Sequence, residues 1–147
     1  MSDFLDDLRA ANVLRQMEYD PDKKYRLLHR SNELAGEVGE ICNIVKKLER
    51  EQLGLVGSRS SYEDLDEEIA DALISLDLLA MEVGTCLRKV TTRKFNQSSK
   101  RLGLRTFLSR SDSSVSQTST RRGTGSTETA TSEPGPGWLR CFQRAFS

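Results

Sequence analysis

Apolar residues recur every three to four positions through four stretches of this 147-residue chain, with polar breaks between them. Phe4, Leu5, Leu8, Ala11 and Leu14 predict a first helix from Asp3 to about Glu18, with Ser2 placed to cap its start. Asp20-Pro21-Asp22 breaks it, because proline restricts the residue before it and suits the start of a following helix. That second helix runs to about Glu51 along Leu34, Val38, Ile41, Val45 and Leu48, roughly 45 Å at 1.5 Å per residue. Gly36 and Gly39 within it each cost about 1 kcal/mol relative to alanine, so they predict a closely packed helix neighbour or access for a ligand. Residues 54–61, with two glycines and three serines, read as a connection. Ser61, Glu63 and Asp64 open a third helix that continues through Leu65, Ile69, Ala72, Leu76 and Leu79 to Val83. Gly84 ends it, and Thr85 is placed to cap a fourth helix along Leu87, Val90 and Lys94 that reaches about Arg101 before Gly103. The pattern predicts an all-α helical bundle of about four helices. Ile74 and Leu78 fall on a second apolar face of the third helix, which predicts covering by another subunit in an oligomer.

Acidic residues change this picture. Glu37-x-x-Glu40 and Glu68-x-x-Asp71 repeat one helical spacing inside apolar-periodic stretches, where charge is costly. Residues three apart on a helix have Cβ atoms about 5–6 Å from each other, so each pair can present two carboxylates to one place. On a helical wheel Glu33, Glu37 and Glu40 share a narrow sector beside the apolar one, and Asp64, Glu68 and Asp71 do the same on the third helix. Two helices with matching edges can face each other, and four converging carboxylates call for a hard cation. A single E-x-x-E is more commonly a solvated helix flank. Two such pairs beside two seams weaken that plainer reading.

Three segments together carry a family resemblance: Asn32-Glu33-Leu34-Ala35-Gly36-Glu37-Val38-Gly39-Glu40, Glu67-Glu68-Ile69-Ala70-Asp71, and Lys94-Phe95-Asn96-Gln97-Ser98-Ser99. In order and spacing they resemble the MazG-like all-α nucleoside triphosphate pyrophosphohydrolases, over roughly Leu27 to Gly103. The resemblance implies cleavage of a nucleoside triphosphate to a monophosphate and pyrophosphate, dependent on Mg²⁺ or, in its place, Mn²⁺. It assigns the metal and catalysis to Glu37, Glu40, Glu68 and Asp71, with Glu33 or Glu67 orienting water. Lys94 and Asn96 would meet the substrate's phosphates, and Lys47, near the acidic sector, is a further candidate. The implied assembly is a homodimer or homotetramer. Two other readings stay open: a narrower hydrolase of deoxynucleotides such as dUTP or dCTP, and a catalytically silent helical oligomerisation module whose acids are solvated.

Composition sets the boundaries of these readings. With 22 basic and 22 acidic residues, the chain has no global field to attract nucleic acid, so no nucleic acid polymer is expected as a partner. Cys42, Cys86 and Cys141 are an odd number without paired spacing, which points to a reducing compartment and no zinc. No basic flank with an apolar core opens the chain and no apolar run approaches membrane-spanning length, so no membrane is expected and the location is read as cytoplasmic. His29, the lone histidine, reads as structural. Lys94, Asn96, Lys100 and Arg101 also fit a plain cationic helix C-terminus.

The expected domain covers residues 1–106, and residues 107–147 form a low-complexity tail. Between Ser109 and Gly137 only Val115 and Ala130 are aliphatic. Ordering this stretch, at roughly 1–2 kcal/mol of backbone entropy per residue, would cost tens of kcal/mol with little burial to offset it. Disorder is therefore expected there. From Leu104 the chain carries six Lys or Arg and three acids, against sixteen and nineteen before it. The aromatic, basic Trp138–Phe146 segment suits a partner groove or a membrane surface, or is an extension without a function.

Overall fold

The structure, a computed structural model, describes residues 4–109. These form four α-helices and no strand: α1 (Phe4–Tyr19), α2 (Leu27–Gln52), α3 (Tyr62–Glu82) and α4 (Leu87–Arg101). They divide into two compact units, 4–88 and 89–109. The tail expected to be disordered lies, beyond residue 109, outside the described residues.

The helix limits follow from local hydrogen bonding. α2 begins at Leu27, later than Pro21 and Asp22 suggested, because Asp20 organises the intervening residues. Its carboxylate accepts the backbone N–H groups of Lys24 at 2.8 Å and Tyr25 at 2.9 Å. Lys23 N–H donates to the Asp20 carbonyl at 3.0 Å, with Lys23 at φ +52°. These bonds satisfy the backbone in a turn instead of a helix. Partial burial works to raise the Asp20 pKa, but the two N–H donors and Arg30 outweigh it and hold the carboxyl below its ordinary value. The resulting α2 has 26 residues, about 39 Å.

α3 starts as its sequence suggested. Ser61 Oγ accepts from Asp64 N–H at 3.0 Å, and the Asp64 carboxylate accepts from Ser61 N–H at 2.8 Å, a reciprocal capping box. At the other end Gly84 takes φ +68°, so Gly84 N–H reaches the Met81 carbonyl and Thr85 N–H the Ala80 carbonyl. A side chain at that left-handed position would clash with its own backbone. Thr85 consequently closes α3, and α4 starts only at Leu87.

In the first unit α2 and α3 run antiparallel. Arg26, just before α2, pairs with Glu82 at the end of α3 at 2.8 Å, and Gln52 at the end of α2 donates to the Tyr62 hydroxyl at 3.2 Å. The least exposed row of α2 contains Arg30, Leu34, Glu37, Ile41, Ile44 and Leu48, and that of α3 contains Leu65, Glu68, Ala72, Ser75 and Leu79. α1 packs on the other side of α3. Between them sits Asp77, only 1% exposed. Arg9 Nε and Nη2 donate to its carboxylate at 2.8–3.1 Å. Asn12 Nδ2 donates to it at 2.9 Å, and Arg9 Nη2 also donates to the Thr85 carbonyl at 3.1 Å.

This packing corrects two sequence-based expectations. Leu78 is buried and Ile74 half-buried within the chain itself, so they do not form an outer face for another subunit. The physical reason is that α3 serves two neighbours, and the Asp77 cluster turns its Leu78 side inward. Exposed apolar positions instead include Val38 and Val45 on α2, Tyr62, Ile69 and Leu76 on α3, and Val83 just after it. A Cβ placed on Gly36 or Gly39 would meet nothing within 4 Å, so neither glycine is needed for close packing within the chain.

Candidate metal centre

The two packed rows carry acids into the α2–α3 seam. Glu37 lies one turn before Ile41, and Glu68 one turn before Ala72, so both carboxylates start from packing positions instead of bordering them. Glu37 and Glu68 are half-buried, and Asp71 is exposed, one turn beyond Glu68. One carboxylate oxygen from each of these three residues lies within 4.8 Å of the others.

Three like charges at that separation repel one another. Glu68 bears the consequence: its partial burial, then the negative charges of Glu37, Glu40, Asp71 and Glu67, push its carboxyl above the ordinary value. Among the described residues no lysine, arginine or histidine forms an ion pair with Glu37, Glu40, Glu68 or Asp71. An all-oxygen donor set with excess negative charge fits Mg²⁺ or Mn²⁺, which take carboxylates and retain water. It does not fit a soft metal, since no cysteine or histidine belongs to the group.

The remaining candidates divide. Glu40 is exposed and falls outside the close group of three, although its charge is felt at Glu68. Glu67 stands in the same relation to Glu68. Glu33 is already engaged, accepting from Arg30 Nη1 at 3.0 Å and lying 3.2 Å from His29 Nε2. His29 also stacks on Tyr25, with ring centroids 4.2 Å apart, in keeping with a structural role. Lys47 lies ten residues beyond Glu37, about 15 Å along α2, and its charge acts on Asp64 at the start of α3. The structure therefore does not bring Lys47 to the three acids.

In the second unit, Lys94 is exposed and lines a shallow hollow with Val90, Arg93, Phe95 and Gln97. Asn96 is committed: its Nδ2 donates to the Leu108 carbonyl at 2.9 Å and its Oδ1 accepts Leu108 N–H at 2.8 Å. Sequence reasoning put Asn96 at the substrate's phosphates and missed this clamp. It also missed Asp77, whose signal was present as the lone acid in the apolar run Ile74 to Met81.

No protein-family profile matches the chain, and no solved structure matches it. The chain is similar to the Gene 37 protein of Mycobacterium phage L5, at 35% identity over 68 residues, 46% of this chain and 59% of that relative. It thus spans less than two thirds of the length of the curated relative it matches.

Proposed function

We propose that the chain is a metal-dependent nucleoside triphosphate pyrophosphohydrolase of the MazG-like kind, working as a homodimer or homotetramer in nucleotide house-cleaning. The observation that carries this reading is the convergence of Glu37, Glu68 and Asp71 from two helices without a cationic partner among the described residues. Such an arrangement costs stability for no gain in packing, which is the expectation for a site kept for binding. Glu37, Glu68 and Asp71 would hold Mg²⁺ or Mn²⁺, with Glu40 as the fourth acid on the same stretch of α2. When bound, the cation supplies charge neutralisation for the triphosphate and orientation of the attacking water.

The chain's own contribution is positional. Ile41 and Ile44 on α2 and Ala72 on α3 fix the registry of the two helices, and the capping box fixes where α3 begins. Glu67, outside the close group, would orient the attacking water. The exposed apolar positions Val38, Val45, Ile69 and Leu76 support assembly with a second copy.

The test is product analysis. Purified chain incubated with Mg²⁺ and a panel of ribo- and deoxynucleoside triphosphates should release monophosphate and pyrophosphate from at least one of them. Release confined to dUTP or dCTP would select the narrower hydrolase. No turnover of any nucleotide, with either Mg²⁺ or Mn²⁺, would leave the silent oligomerisation module.

A further inference from the structure

Charge along this chain is segregated. Residues 4–82 carry 18 acidic and 10 basic side chains, whereas residues 83–109 carry seven basic side chains and no acidic one. Six of the seven, Lys89, Arg93, Lys94, Lys100, Arg101 and Arg105, are exposed. Residues 89–109 contain no carboxylate side chain, so none of the six is neutralised among the described residues of its own unit. The neutral total that argued against a polyanionic partner averages over this division.

Geometry arranges these cations. At about 100° per residue, Lys89, Arg93 and Lys100 fall within about 40° of one another, a line roughly 16 Å long on α4. Asn96 lies on the same line. Gly103, at φ +67°, ends α4, and the Asn96–Leu108 pair then holds the following segment back against the helix. Arg105 and Phe107 therefore belong to the same cationic surface, and Phe107 keeps 46% of its area exposed. Phe95 on α4 is 41% exposed. Open aromatic rings beside exposed cations suit a ligand that offers phosphates and stackable bases together.

We propose that α4 and residues 102–108 form a binding surface for single-stranded nucleic acid. The cations meet successive phosphates and Phe107 stacks on a base. The proposal is independent of the hydrolase reading, because it uses none of the acids in the α2–α3 seam.

Fluorescence anisotropy of labelled oligothymidylate and oligouridylate, titrated with the full chain at several salt concentrations, tests it. With four or five phosphates engaged, log K should fall against log salt with a slope of about −3. The Arg93→Gln, Lys100→Gln pair should weaken binding and flatten that slope by about 1.4, whereas Lys100→Arg should bind as the parent does. Phe107→Ala should weaken binding at least about fivefold without changing the slope. All three positions are exposed, and circular dichroism checks that each variant folds. Absence of binding at low salt would overturn the proposal, as would parental affinity in the Gln pair, which would move the contact to basic residues beyond 109. Tighter binding to duplex or to phosphatidylserine vesicles would also overturn it. So would salt-sensitive self-association abolished by the same substitutions, which would make the acidic part of a second copy the occupant.

Discussion

Asp77 and Glu68 are both acids on α3, five turns or fewer from either end, yet their surroundings give them opposite roles. Asp77 is enclosed and fully matched by Arg9 and Asn12, so its charge holds α1 to α3. Removing one partner of a buried ion pair leaves the other charge unpaired, which costs about 3–5 kcal/mol. Asp77→Asn should therefore lower unfolding free energy by that order in urea melts, and Arg9→Met combined with Asp77→Leu should recover most of the loss. Equal, small effects from both would mean that the cluster contributes little. Glu68 is crowded by like charges instead, and its pKa is pushed up. Relief of that repulsion predicts that Glu68→Gln melts at a higher temperature than the parent in metal-free buffer. A lower melting temperature would mark Glu68 as a structural acid. The sequence made Glu68 legible through the paired spacing. Asp77 was not, because a lone acid in an apolar run identifies no partner until α1 is placed against it.

The helices themselves were largely legible, and their boundaries show where local chemistry outranks periodicity. Ser61 and Asp64 announced the start of α3, and Gly84 its end. The start of α2 was misread because apolar period and proline position say nothing of Asp20 accepting two N–H groups downstream. The wheel was also misread: it counted Val38 and Ile69 in the buried seam, where both are exposed, and it gave the second face of α3 to another subunit, although α1 packs on α3. Asp64 offers a pH test of the element. Hydrogen bonds from Ser61 N–H, then from Ser60 Oγ, lower its pKa. A carboxyl with a depressed folded pKa contributes stability above its unfolded value of about 3.9, and that contribution is lost as pH falls through the lower folded value. Amide exchange at residues 62–65 should accelerate relative to the middle of α3 as pH drops below about 4, after correction for intrinsic rates. Asp64→Asn, which cannot titrate there, should remove that difference. A uniform response along α3 would deny the capping box this role.

At the scale of the whole molecule, the described residues of the first unit bury only Ile44, Leu78 and Ala80 among the apolar ones, while Tyr62, Ile69 and Leu76 on α3 and Val83 just after it remain exposed at seven-residue intervals. Such a row on an isolated chain predicts self-association. Sedimentation at micromolar concentration should show a dimer or larger species, and Ile69→Asp with Leu76→Asp should yield a monomer that keeps its helix content. A parent that sediments as a monomer would remove the assembly from the account. Among the described residues no helix is long and apolar enough to cross a membrane. An excess of apolar positions was legible in the sequence, but which of them stay exposed was not, because the choice between Leu78 and Ile69 depends on where α1 packs.

The acidic centre remains the claim on which the proposed hydrolase depends. Calorimetric titration of Mg²⁺ into the chain with a non-hydrolysable nucleoside triphosphate present tests it most directly, run in parallel on the parent, Glu68→Gln and Asp71→Asn. The account predicts saturable Mg²⁺ binding in the parent, weakened at least about tenfold in each variant, in the range that metal-site partners command. Equal binding in all three chains, or none in the parent, would contradict it.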